Sequence, residues 1–137
     1  MRTKQSRRFR ARLDEAPSVS TFVESSIAGM PSRLIRRVQL VVEELFVNTV
    51  THGHGGDSEA PVDLSVSLDG DRVTVVYEDT APAFDPFAGV ETLDPAAPLE
   101  ARRVGHLGLL LISQLTERRE YARIGHRNCV TVELPAR

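Results

Sequence analysis

The chain has 137 residues, with 17 Lys and Arg against 19 Asp and Glu, and a net charge of −2. With 41% hydrophobic and 26% charged residues, its composition is that of one globular domain and excludes a disordered chain, a collagen-like repeat and a disulfide scaffold. The single cysteine, Cys129, favours a reducing compartment. No apolar run approaches the ~18 residues of a membrane span, so we expect a cytoplasmic protein.

The positive charge is concentrated at the N-terminus. Residues 1–12 carry six basic and no acidic side chains, so the other 125 residues have a net charge of −8. Because nucleic-acid-binding domains spread basic side chains over a folded face, this balance argues against direct DNA binding. We expect residues 1–8 to form a solvated basic arm, and contact with an acidic partner or RNA is the alternative.

The first half of the chain combines one strand signal with two helix signals. Alternating apolar residues predict a short strand over 9–13. Helical spacing of apolar residues then predicts a helix that begins just before Pro17 and ends near Gly29. A longer amphipathic helix follows, with Ser32 as its N-cap and its end near Gly53.

The second half is rich in strands and contains one long connection. Strict alternation predicts a β-hairpin over 61–79, and a second hairpin follows over 121–134. Between them, 80–104 hold four of the eight prolines, and a connection of this length is usually functional or mobile. A helix is expected over 105–115. The order of elements predicts an α+β fold, a two-layer α/β sandwich in which helices cover one face of a mixed, mostly antiparallel sheet.

Polar residues on the long helix are the first candidate for a site. Glu44, Asn48 and His52 lie at i, i+4 and i+8, so they share one stripe of the helix next to its apolar face. A carboxylate and an amide suit Mg²⁺, which prefers oxygen ligands. The alternative is a solvated helix face on which Glu44 pairs with a nearby cation.

Two further candidates lie later in the chain. Asp79 ends the first predicted hairpin, where its carboxylate can accept a hydrogen bond from a ligand amine such as that of adenine. An Asp at a strand exit also commonly forms an Asx turn. Gly105-His106-Leu107-Gly108 precedes a predicted helix, whose N-terminus offers free N–H groups to phosphate. Glycine at a helix start also serves packing alone.

Together these motifs resemble the anti-sigma-factor serine/threonine kinase family, which belongs to the GHKL superfamily of ATPases shared with gyrase and histidine kinases. The matching segments are Glu44-Leu-Phe-Val-Asn48-Thr-Val-Thr-His52, Asp79 with Phe84-Asp85-Pro86, Gly105-x-x-Gly108-Leu109, and Tyr121-Ala-Arg-Ile-Gly-His-Arg-Asn128. The resemblance runs from about residue 9 to the C-terminus. It implies a single ATP-binding domain of the Bergerat type over 9–137.

The resemblance also implies the ligands and the residues that bind them. ATP and Mg²⁺ would lie between the helices and the 80–104 loop, which would act as a lid. Asn48 would be the Mg²⁺ ligand, Glu44 the general base and Asp79 the partner of the adenine amine. The other nucleotide-binding residues that it implies are His52, Phe84, Gly105, His106, Leu107, Gly108 and Leu109.

The implied activity is phosphorylation of a serine or threonine on an anti-anti-sigma protein with a STAS domain. Members of this family also bind sigma factors and commonly act as dimers. The chain departs from the family at Ala81, Ala83 and His106, where glycine is usual. An alanine forced to positive φ costs about 1 kcal/mol or more, and His106 would either crowd the phosphates or donate to them. The alternative function is therefore a non-catalytic module that sequesters a sigma factor or another regulator.

Overall fold

Five strands and two long helices make up the part of the chain that the computed structural model describes, residues 2–88 and 112–136. The strands are β1 (Arg2–Arg10), β2 (Pro61–Asp69), β3 (Arg72–Asp79), β4 (Arg118–Ile124) and β5 (Arg127–Pro135). The helices are α1 (Ala16–Ser26), which follows a 3₁₀ turn at Leu13–Glu15, and α2 (Ser32–Asn48), which continues into a π-helical turn at Thr49–Gly53. Neither helix is long and apolar enough to cross a membrane.

The strands form one sheet in the order β1-β2-β3-β5-β4. Every pairing between the described strands is antiparallel, so the predicted α+β class is confirmed. The hairpin of β4 and β5 joins the sheet through β5, which pairs with β3 in a register that sets Asn128 opposite Asp79. This register places the end of β3 and the start of β5 next to each other at the same end of the sheet.

The helices of the described residues cover one face of the sheet. In β2, β3 and β5, every second side chain is buried, as the period of two in a strand requires. These buried side chains are Val62, Leu64, Val66, Val73, Val75, Tyr77, Asp79, Asn128, Val130, Val132 and Leu134. They form one core with the apolar faces of α1 and α2. The intervening side chains of these strands face away from the helices.

Helix α2 lies on the sheet because its apolar residues recur at helical spacing. Leu34, Val38, Val41, Val42 and Leu45 are all buried, which matches the pattern expected for an amphipathic helix. The predicted N-cap was wrong. Pro31 precedes the helix in an extended conformation and Ser32 is the first helical residue, without a side-chain cap hydrogen bond.

The basic N-terminal segment is a strand and not a solvated arm. Residues 2–10 pair with β2 along their whole length. Phe9 is buried in the core. The Arg7 guanidinium carbon lies 4.7 Å from the centroid of the Phe9 ring. On the other face, Arg8 Nε donates to Asp63 Oδ1 at 2.8 Å. The strand ends at Arg10, so the expected extension to residue 13 was also wrong.

Candidate functional site

A cavity of about 220 Å³ opens between the C-terminal end of α2 and the end of β3. Its wall is built by Leu45, Asn48, Thr49, His52, Gly53, Tyr77, Asp79, Ala81, Pro82, Ala83, Phe84, Pro86, Asn128 and Val130. Four of the residues expected at a site, Asn48, His52, Asp79 and Phe84, therefore line the same space. They come from two stretches of the sequence, and Asn128 and Val130 bring a third to the wall.

The helical side of the cavity is formed where α2 changes into its π turn. The N–H of His54 donates to the carbonyl of Thr49 at 2.9 Å, which closes an i to i+5 turn. Such turns occur frequently at functional sites. Asn48 and His52 line the cavity. Glu44 lies one helical turn before Asn48, and its Oε2 is 3.5 Å from the Asn48 Nδ2.

Glu44 has the electrostatic surroundings of a base. Partial burial raises the pKa of its carboxyl above the ordinary value, and the nearby His52 opposes this rise. A carboxylate with a raised pKa accepts a proton more readily than an exposed glutamate. A partly buried carboxylate with a raised pKa therefore lies one helical turn from Asn48.

Asp79 lies at the floor of the cavity because it is in phase with the buried side chains of β3. Its side chain is 7% exposed. Asp79 Oδ1 accepts from Asn128 Nδ2 at 2.8 Å and from the Ala81 N–H at 3.1 Å. Asp79 Oδ2 accepts from Thr49 Oγ1 at 2.8 Å. Since each carboxylate oxygen has two acceptor sites, Oδ1 is saturated, and Oδ2 keeps one site for a further N–H donor.

A buried tyrosine fixes the direction of the bond from Thr49. The Tyr77 hydroxyl lies 2.6 Å from Thr49 Oγ1, and burial raises the pKa of Tyr77 well above its ordinary value. The phenol is therefore a proton donor at neutral pH. Thr49 has a single hydroxyl proton, and both Asp79 Oδ2 at 2.8 Å and the Leu45 carbonyl at 3.0 Å are acceptors for it. Because a hydrogen bond to a charged acceptor is the stronger one, we assign the chain from Tyr77 to Thr49 to Asp79.

The segment after β3 accommodates alanine where the family usually has glycine. All positive-φ residues within the described ranges are glycines, so Ala81 and Ala83 are not strained. Ala81 packs against Gly53, where an added Cβ would lie 2.8 Å from the Ala81 Cβ. The Ala81 carbonyl accepts from Arg123 at 2.8 Å. The expected penalty for alanine at these positions is absent.

The donor set around Asn48 suits a magnesium ion that arrives with a ligand. The described residues contain no group of three His, Cys, Asp or Glu side chains placed to hold a metal. Mg²⁺ is commonly bound by one or two protein oxygens together with phosphate oxygens and water. The Asn48 amide turns its nitrogen towards Glu44 Oε2 at 3.5 Å, so its oxygen points the other way and is a protein ligand that such an ion could use.

Part of the expected site lies outside the described residues. This part comprises Gly105, His106, Leu107, Gly108 and Leu109, together with 89–104 of the expected lid. Sequence reasoning also assigned no role to Thr49, Tyr77 or Asn128. The sequence pattern that could have identified them is their position in the repeat. Each is a polar residue at a position where the periodicity of its own helix or strand predicts a buried apolar residue.

Comparison with known proteins agrees with this geometry. Residues 9–134 match the histidine kinase-like ATPase domain. The chain belongs to this ATPase family. A relative, the serine-protein kinase RsbW of Halalkalibacterium halodurans, is 30% identical over 116 residues, which cover 76% of this chain and 70% of the relative. These two matches confirm the family resemblance that the motifs indicated.

Proposed function

We propose that this ATPase-family chain binds ATP in the cavity and transfers the γ-phosphoryl group to a serine or threonine hydroxyl of a protein partner. The observation that carries the proposal is the single open acceptor site on the buried Asp79. It faces a cavity whose other end holds Asn48, with Glu44 one turn away. Both ends of a nucleotide would thus find complementary groups.

Recognition of the base would rest on Asp79. The 6-amino group of adenine is an N–H donor, and Asp79 Oδ2 has one acceptor site left beside its bond from Thr49. The apolar walls formed by Leu45, Val130 and Phe84 suit the faces of an aromatic base. Phe84 is 52% exposed, so its ring is available at the mouth of the cavity.

The phosphates would extend from the base towards Asn48 and His52. Asn48 would ligate Mg²⁺, which supplies positive charge to the phosphates when it is bound. In our proposal the backbone N–H groups of Gly105, His106, Leu107, Gly108 and Leu109 bind the phosphate oxygens, since free N–H groups at a helix start favour anions.

Glu44 would act as the general base. It takes the proton from the attacking serine or threonine hydroxyl, whose oxygen forms a bond to the γ-phosphorus. The bond from that phosphorus to the β,γ-bridging oxygen breaks, and ADP leaves. The raised pKa of Glu44 supports this role, because a base works best when its pKa approaches the working pH.

The partner that we propose is a STAS-domain anti-anti-sigma protein, with a sigma factor as the second binding partner. The name of the relative, a serine-protein kinase, supports a protein hydroxyl as the acceptor. We also propose that the chain works as a homodimer and binds no DNA directly.

The test is phosphoryl transfer from radiolabelled ATP to the cognate STAS protein in the presence of Mg²⁺. Wild type should label the partner, and Glu44→Gln should abolish labelling while ATP affinity stays within about threefold. Glu43→Gln is the matched control. Neither Glu43 nor Glu44 is part of the cavity wall, but Glu44 lies 3.5 Å from the Asn48 amide, whereas the Glu43 Oε1 accepts from Ser20 at 2.6 Å. Wild type that binds the partner equally with and without ATP, and never labels it, would replace this proposal with the sequestering module.

A further inference from the structure

We propose that Asn128 is a specificity-determining positioning residue, which holds Asp79 so that the cavity selects a purine with an amino group at position 6. The inference rests on the proposed function, since it concerns the same nucleotide pocket. Asn128 does not need to touch the ligand. It acts through Asp79 and through the segment 81–84, which together form one wall of the cavity.

The Asn128 amide nitrogen faces three acceptors. Nδ2 donates to Asp79 Oδ1 at 2.8 Å, and it lies 3.1 Å from the carbonyl oxygens of both Ala81 and Pro82. One side chain of β5 therefore bonds to the last residue of β3 and to the two peptide groups that lead away from it. Asn128 is 5% exposed, so water does not readily replace these bonds.

The Asn128 amide oxygen has two partners, of which the Phe84 N–H can only donate and so fixes the orientation of the amide. Oδ1 accepts from the Phe84 N–H at 3.2 Å and from the Tyr121 hydroxyl. An amide rotated by 180° would set its N–H groups against the Phe84 N–H and its oxygen against Asp79. The Phe84 N–H, which can only donate, and the Asp79 carboxylate therefore determine which end of the amide points at Asp79, and the Tyr121 hydroxyl on the edge strand β4 adds a second bond to Oδ1.

The consequence for Asp79 is a carboxylate held from two elements. Asn128 occupies Oδ1 from the sheet, and Thr49 occupies Oδ2 from the π turn at 2.8 Å. With both bonds present, the carboxylate cannot rotate, and its single open acceptor site keeps one direction. A 6-amino group satisfies that site, whereas the 6-oxo group of a hypoxanthine base presents a second acceptor and leaves both groups unpaired.

A purely structural role for Asn128 predicts a different result. Loss of packing or stability would weaken all nucleotides alike, since every one of them uses the same cavity. Loss of positioning would weaken the amino-purine selectively. The ratio of ATP affinity to ITP affinity therefore separates the two roles, and it is insensitive to the fraction of folded protein.

The experiment is calorimetric titration of ATP and of ITP, each with Mg²⁺, into wild type, Asn128→Ala and Tyr121→Phe. Wild type should prefer ATP by on the order of 100-fold, because an unpaired buried polar group reduces affinity by that scale. In Asn128→Ala the preference should fall about tenfold, mainly through weaker ATP binding. Tyr121→Phe keeps the ring and removes only the hydroxyl, so the preference should fall severalfold.

Val132→Ala is the matched control, since Val132 is fully buried on the same strand and lies outside the cavity wall. It should lower stability and leave the ATP to ITP ratio unchanged. If Asn128→Ala fails to fold, Tyr121→Phe alone decides. An unchanged ratio in the folded variants overturns the role of Asn128 while leaving ATP binding intact. A wild type that binds neither nucleotide refutes the proposed function itself.

Discussion

Substitution of Gly53 by alanine should disrupt the wall of the cavity although the new residue is a better helix former. The added Cβ would lie 2.8 Å from the Ala81 Cβ, and ordinary contacts begin at 3.4 Å, so one of the two must move by about 0.6 Å. The Ala81 N–H and carbonyl are bonded to Asp79 at 3.1 Å and to Arg123 at 2.8 Å. A shift of that size stretches or breaks these bonds.

The magnitude follows from two opposing effects. Overpacking of a buried contact typically costs about 1–3 kcal/mol. Replacing glycine at an unstrained φ returns about 0.4–1 kcal/mol, through the lower entropy of the unfolded chain. Gly53→Ala should therefore lower the free energy of unfolding by about 0–2.6 kcal/mol, with about 1 kcal/mol at the centre of the range, in urea denaturation. It should also weaken ATP binding, since Asp79 is displaced with Ala81.

The exchanged pair is the decisive control. Gly53→Ala combined with Ala81→Gly moves the methyl group to the other side of the same contact. The double variant should be more stable than the sum of the two single effects predicts, with a coupling of about 1–2 kcal/mol. A stabilising Gly53→Ala, or strictly additive effects in the double variant, would refute the steric reasoning.

Two predictions concern pH. Because burial raises the pKa of Glu44, the rate of phosphoryl transfer should decrease on the acid side with an apparent pKa above the ~4.3 of an exposed glutamate. A pH–rate profile measures this apparent pKa. A value at or below ~4.3 would contradict the assignment of Glu44 as the general base. For Asp63, the hydrogen bond from Arg8 is the largest of the contacts that lower its pKa below 3.8. Its stabilisation is complete above the unfolded pKa and is lost as pH falls through the folded pKa. Asp63→Asn should therefore be less stable than wild type at pH 7, and the difference should shrink below about pH 4. Urea midpoints that differ equally at pH 7 and pH 2.5 would show that the ion pair is not the cause.

The sequence predicts β2, β3 and α2 well, because the apolar side chains of each element recur with a single clear period. The alternation over 61–79 corresponds to β2 and β3, and the predicted long helix corresponds to α2. The predicted strand over 9–13 overlaps β1 only at 9–10, and 2–8 are missed because β1 lies at the sheet edge, where eight of its nine residues are exposed. Its position depends on backbone pairing with β2, which leaves no apolar period over 2–8.

Only some of the residues of the site can be predicted from the sequence. Asn48 and Asp79 stand out by residue type and motif spacing. Asn128 contacts the site because the register of β3 with β5 places it opposite Asp79, and the sequence alone does not show this register. Thr49 and Tyr77 meet only because α2 packs across β3. Such tertiary contacts between distant segments leave no local pattern beyond a polar residue in a buried phase.

The central claim is that Asp79 presents its one open acceptor site to the amine of ATP. Calorimetric titration of ATP and Mg²⁺ into wild type and Asp79→Asn tests it most directly. The variant is nearly isosteric. Its oxygen can still accept from Asn128, and Thr49 can donate instead to the Leu45 carbonyl, 3.0 Å away. Its amide N–H₂ would then face the ligand amine, so affinity should fall on the order of 100-fold. Equal binding by both proteins, or no binding by wild type, would contradict the account.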